Sequence, residues 1–239
     1  MKTKGNPIGW CDITVNPVTG CPNGCEYCYA RSMNNRYKWI EDFSKPQFFP
    51  HRLKDFRTKE PMIIFIDSMS DIGCWKDEWK AETYKAMAEN QQNIYLALTK
   101  KYDDLHWLQI DARLNRGRGT QLFIGATVTN NEQAKAVINS GGADFISFEP
   151  LLETIETNYL LYLNCRWWIV GDMTKQGKPQ RVIKPWQVFE MADRAEELNI
   201  PFFMKESING LCGGFMKKEF PEGWKTHKHA ETEVHNYAE

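Results

Sequence analysis

The runs Met62-Ile63-Ile64-Phe65-Ile66 and Trp167-Trp168-Ile169-Val170 leave neither face of a strand polar, so each must be covered on both sides. That excludes an antiparallel sheet with one wet face and points to parallel strands lying between layers of other structure. Strands are expected near Trp10–Val15, Met62–Asp67, Asn93–Leu98, Gln121–Val128, Asp144–Phe148, Trp167–Val170 and Pro201–Met204. Asp77–Glu89, Glu132–Asn139 and Pro185–Leu198 carry apolar residues among charges and read as covering helices, the last opening on a proline suited to a first helical turn. The alternation predicts an α/β fold with parallel strands, as a partial or full (β/α) barrel. At 239 residues the chain suits one barrel domain over residues 1–206, with an irregular C-terminal extension over 207–239. Residues 31–60 are polar and aromatic with weak periodicity, and read as an insertion into that barrel.

Thirty basic against 31 acidic residues give a net charge of -1, so no global field draws nucleic acid or a membrane surface. No stretch reaches the roughly 20 apolar residues of a membrane span. Met1–Pro7 runs into polar sequence rather than a secretion signal, so a cytoplasmic protein is expected, in the host cytoplasm if phage-encoded. Seven cysteines, an odd number, then favour reduced thiols and metal ligation over a disulfide framework.

Three of those cysteines fall within eight residues, Cys21-Pro22-Asn23-Gly24-Cys25-Glu26-Tyr27-Cys28. Three thiolates on one tight loop can hold a metal centre and leave a coordination position open, whereas a closed zinc site uses four ligands, usually in two spaced pairs. A zinc site completed by Cys11 or Cys74 is the alternative. Polar residues also collect after each expected strand, where barrel enzymes build their sites. They are Asn16, Asp67–Asp71, Thr99–Lys101, Thr127–Asn130, Glu149, Gly171-Asp172 and Lys205-Glu206.

The C-x3-C-x2-C spacing, with Tyr27 before the last cysteine, resembles the cluster loop of the radical S-adenosylmethionine (SAM) superfamily. Closer still, Trp10-x5-Asn16-Pro17-Val18-Thr19-Gly20-Cys21, Ser68-Met69-Ser70-Asp71, Leu98-Thr99-Lys100, Glu149-Pro150-Leu151-Leu152, Trp168-Ile169-Val170-Gly171 and Pro201-Phe202-Phe203-Met204-Lys205 look like the ordered motifs of an uncharacterised radical-SAM-like family of phages and bacteria. The chain departs from that pattern at Asp172-Met173, where the family has a glycine and a glutamate, and around Cys74. The resemblance implies a barrel of the radical SAM type and a [4Fe-4S] cluster on Cys21, Cys25 and Cys28, whose open iron chelates SAM. An electron, from a donor such as flavodoxin or ferredoxin, would then cleave SAM to a 5′-deoxyadenosyl radical. It further implies that Tyr27 packs near the adenine and that Ser68, Ser70 and Asp71 meet the methionine ammonium, though Asp71 equally suits a helix cap. Thr127 and Thr129 would meet the ribose, or pack across strands.

Glu149 ends a buried strand, so a Lys100 or Lys205 partner is expected, either as a catalytic group or as a structural ion pair. Cys165 reads as a small buried apolar residue, while Cys212, in a glycine-rich segment, is a candidate lid residue or hydrogen-atom donor. His227, His229 and His235 read as a solvated tail. The phage-type pattern and a similarity to relatives of spore photoproduct lyase make a nucleotide or nucleic-acid base the leading substrate class, with a peptide second. Arg36–Trp39 and Phe48–Arg52 offer rings and cations for bases and phosphates, or for packing on the barrel. The rival class is a non-catalytic nucleic-acid or protein-binding module with a structural metal on the cysteine loop.

Overall fold

The computed structural model describes residues 8–175, 178–180 and 182–224. Seven parallel strands follow one another around a curled half-barrel: β1 (Ile13–Thr14), β2 (Ile63–Phe65), β3 (Ile94–Thr99), β4 (Gln121–Thr127), β5 (Phe145–Phe148), β6 (Trp168–Val170) and β7 (Phe202–Met204). Each expected strand is present, in the expected order, most with trimmed ends and the third shifted by one residue to Ile94–Thr99. Six helices accompany them: α1 (Tyr29–Tyr37), α2 (Asp77–Ala88), α3 (Tyr102–Gly117), α4 (Asn131–Asn139), α5 (Thr157–Tyr162) and α6 (Pro185–Glu197).

Period-two alternation sorts the strand residues into two cores. Ile63, Phe65, Leu96, Phe123, Phe145, Trp167, Ile169 and Phe203 point inward with Trp10, while Ile64, Tyr95, Ile124, Ile146, Trp168, Val170 and Phe202 pack outward under the helices. The curl is visible in Trp10, just ahead of β1, whose ring lies 6.3 Å from Phe145 and 6.2 Å from Trp167 on the far side of the interior. Gly125 permits that filling, because a Cβ there would lie 2.6 Å from the Phe145 ring.

Residues 217–219 run antiparallel along the free edge of β7, with Met204 N–H donating to Lys217 O and Glu219 N–H to Phe202 O. They cover an edge that would otherwise offer unpaired backbone groups. Trp224 then closes the N-terminal end of the barrel, its ring 4.5 Å from Phe123 and 5.7 Å from Trp167. Up to Trp224, the C-terminal extension is therefore packed onto the barrel, whereas its histidines lie outside the described residues, as does Met1–Pro7. No helix among the described residues is long and apolar enough to cross a membrane.

The insertion divides into two parts of different character. Phe48 stacks on Trp79, and Arg52 Nη1 donates to Asn16 O and Thr19 Oγ1, so the Phe48–Arg52 half is tied into the frame and is not a free phosphate site. The other half is α1, whose first turn is capped by the Cys28 sulfur accepting from Arg31 N–H.

Candidate functional site

A cavity of about 210 Å³ opens at the C-terminal mouth of the half-barrel. The cysteine loop forms one wall. Gly20 turns the chain into that loop at φ +110, and a Cβ on it would meet Pro46 Cα at 2.9 Å, so only glycine fits. Its N–H donates to Met69 O, which ties the loop to the turn after β2, and Cys21 N–H donates to Phe43 O. Cys21, Cys25, Cys28, Tyr27, Ser68, Ser70, Asp71, Lys100, Thr127, Glu149 and Lys205 all line this one cavity. Eleven of the thirteen sequence-derived candidates thus converge. Thr129 is buried behind the wall, its N–H and hydroxyl both turned to Gln133 Oε1. Cys212 is buried in the outer hydrophobic layer beside Ile208 and does not line the cavity, which removes the lid geometry that its glycine-rich neighbours suggest.

Cys21, Cys25 and Cys28 form no disulfide, and their three sulfurs are not all within 4.8 Å of one another. A single tetrahedral zinc, with bonds near 2.3 Å, would hold its thiolates only about 3.8 Å apart, whereas a cube of iron and sulfide spreads them further. Three thiols on one loop are a donor set that a cluster with one open iron could use, as could a single ion given a fourth ligand. A tighter group does exist: ligand atoms of Cys21, Asp71 and Cys74 lie within 4.8 Å of each other. The bond between Cys74 and Cys21 lowers the Cys21 pKa against the opposing effect of burial, and the same bond raises that of Cys74. Burial raises Cys28 and, more strongly, the Tyr27 phenol.

Asp71 is already fully engaged. Its Oδ1 accepts from Gly73 N–H at 2.9 Å and Thr99 Oγ1 at 2.7 Å, and its Oδ2 accepts from Asn23 Nδ2 at 2.6 Å and Lys100 N–H at 2.9 Å. It caps the short 3-10 turn Ile72–Cys74 and pins the cysteine loop to β3. Ser68 Oγ donates to Asn16 Oδ1, and Ser70 Oγ accepts from the Trp75 indole.

On the opposite wall Glu149 Oε1 receives Lys205 Nζ at 2.6 Å, and Oε2 receives Trp10 Nε1 at 3.0 Å and Ser147 Oγ at 3.1 Å. Gly171 makes room for this pair, since a Cβ there would lie 2.9 Å from Glu149 Oε1 and 3.1 Å from Lys205 Cδ. Lys100 takes no carboxylate partner among the described residues; its Nζ sits 5.9 Å from the Tyr27 ring centre. Three further residues of this cavity have no individual role in the sequence reading. Asp67 is one, a buried carboxyl whose pKa is driven well above the usual range by burial and then by Asp71. Its place at the end of a wholly apolar strand is the signal that marks it. The other two, Trp10 and Tyr29, reach the cavity through the curl of the sheet and the start of α1; Trp10 opens the first expected strand, whereas Tyr29 carries no sequence signal of its own.

One family profile, that of the protein of unknown function DUF5131, matches residues 5–235. The chain belongs to the DUF5131 family. The match takes in the cysteine loop, all seven strands and the Trp224 plug, so the cavity is built wholly from DUF5131 sequence. Neither a curated protein nor a solved structure matches the chain.

Proposed function

We propose that this DUF5131 protein is a radical SAM enzyme acting on a nucleotide or nucleic-acid base, with a [4Fe-4S] cluster on Cys21, Cys25 and Cys28. The observation that supports the reading is the cavity bounded by three thiols that form no disulfide and by the Ser68–Asp71 turn. A cluster bound there would supply the electron that cleaves SAM to a 5′-deoxyadenosyl radical. The chain's own residues have definable tasks. Asp71 fixes the loop, and Ser68 and Ser70 present hydroxyls to the cavity. Lys100 brings a positive charge, in no salt bridge among the described residues, suited to a carboxylate or phosphate. The Glu149–Lys205 pair gives the far wall a fixed dipole, and Trp10, Phe65 and Tyr27 keep water from the reacting carbon. An electron donor such as flavodoxin or ferredoxin is required by this chemistry.

The Cys21–Asp71–Cys74 group supports a second reading, a structural zinc in a non-catalytic binding module. Against it, Asp71 would have to surrender donors it already holds. Anaerobic reconstitution with iron and sulfide separates the two. The enzyme reading expects a brown protein with about four irons per chain and a SAM-dependent spectral change, both lost when Cys21, Cys25 or Cys28 is changed to alanine. Colourless protein holding one zinc, lost in a Cys74→Ala variant, would establish the module instead.

A further inference from the structure

Three exposed side chains stand one above another along α1: Tyr29, Met33 and Tyr37, at 50%, 38% and 53% exposure, spaced four residues apart. Trp39, 43% exposed, extends the row and stacks on Tyr37 with centroids 5.4 Å apart and planes 21° apart. The Arg36 guanidinium lies 5.2 Å from the Tyr37 ring centre. The row has a direction, because Tyr29 is at once its first member and part of the cavity wall, its hydroxyl donating to Ser68 O at 2.5 Å.

We infer that this row is a track for single-stranded nucleic acid, whose bases stack on Tyr37 and Trp39 while one unit of the strand enters the cavity past Tyr29. The inference rests on the reading of the cavity as the reaction site and narrows its substrate to a polymer. Flat, parallel rings with a guanidinium beside them suit bases and phosphates, and stacking is indifferent to sequence. The charge agrees: from Tyr29 to Ile40 the chain carries Arg31, Arg36 and Lys38 and no acid, within a protein of net charge -1. Arg36 and Lys38 are exposed and form no ion pair among the described residues, and Lys100 waits inside the cavity. Trp107, Tyr162 and Trp186 are as exposed, but they sit on three separate helices and none lines the cavity. An acidic electron donor would also meet the positive charge, yet it has no need of a row that leads into the cavity.

The test is fluorescence anisotropy of the purified full chain with a labelled oligothymidine and a labelled mixed-sequence strand, each about 20 nucleotides long. Both strands should bind more tightly than the corresponding duplex. With Arg36, Lys38 and Lys100 on phosphates, log Kd against log salt should have a slope magnitude near 2, reduced by about 0.7 in Arg36→Gln. A Tyr37→Ala/Trp39→Ala variant should lose at least tenfold in affinity. Because both rings are exposed, the variant should keep the wild-type circular dichroism and reconstituted iron content. Equal affinity in wild type and variant, preference for duplex, or capture at this row of flavodoxin or ferredoxin alone would overturn the track. Failure here with SAM cleavage intact would condemn only the track, whereas strand binding without any cluster would condemn only the radical chemistry.

Discussion

Replacing Lys205 with methionine should destabilise the protein by about 2–3 kcal/mol, and the size follows from the surroundings of Glu149. At a separation of 2.6 Å the two charges attract by roughly 6 kcal/mol at an effective dielectric of about 20. Much of that is offset by the desolvation both groups have undergone, and breaking a buried pair costs about 3–5 kcal/mol in measured cases. Here the side chains keep 24% and 17% of their exposure, and Trp10 and Ser147 continue to donate to Glu149, so the lower figure applies. Urea unfolding of wild type, Lys205→Met, Glu149→Gln and the double variant closes a mutant cycle. Its coupling should be about 2 kcal/mol, with a fall in Tm of about 5–10 °C for Lys205→Met alone. A coupling below about 0.5 kcal/mol would mean that the pair behaves as a solvated surface bridge, and the picture of a desolvated far wall would be wrong.

Gly171→Ala should cost about 1–3 kcal/mol, because its Cβ intrudes on that same pair, and adding it to the Lys205→Met background should cost less than in wild type. Trp224→Ala should cost about 3–5 kcal/mol in urea unfolding by emptying the aromatic plug beneath Trp167 and Phe123; a surface-like loss of under about 0.5 kcal/mol would show that the plug is open. Asp67 gives a signed pH effect. Its folded pKa lies above the unfolded value of about 3.9, so the folded chain holds the extra proton, and stability falls as pH rises from about 4 through the raised pKa. Asp67→Asn removes that titration. The stability of wild type relative to the variant should therefore decline with rising pH, and a difference independent of pH would refute the assignment.

The barrel was legible because its strands are apolar on both faces, a pattern that survives any detail of packing: Met62–Ile66 and Trp167–Val170 could sit nowhere but between layers. Their C-terminal ends then located the cavity walls, and a motif of three cysteines located the loop. Three helices stand where the sequence reading assigns none. In α3, Leu105, Leu108 and Ala112 are buried on the expected face, but the buried Gln109 joins them by donating to Ile124 O, which blurs the apolar stripe. α1 buries only Ala30 and Asn34, with Asn34 held by two hydrogen bonds to Ile40 rather than by apolar packing, so no hydrophobic period announces it. α5 is six residues long, too short for a period to show. Cys212 misled for a related reason: its neighbours Gly210, Gly213 and Gly214 signal mobility, whereas its burial depends on Ile208 and the outer layer, which lie close only after folding. Asp71 had two plausible roles in sequence, and four donors drawn from the cysteine loop, its own turn and β3 engage it as a structural hub.

The aromatic plug at the base has a kinetic side. A second cavity there, lined by residues such as Met62, Gln121, Arg166 and Trp224, shares no lining residue with the first, so the two open at opposite ends of the half-barrel. On the proposed reading, a strand lying across Tyr29 would cover the mouth through which a small molecule reaches Cys21 and Asp67. Under that proposal the expected kinetics are ordered, with the small molecule first in and last out, and steady-state inhibition patterns that read as a random sequence would count against the strand lying there.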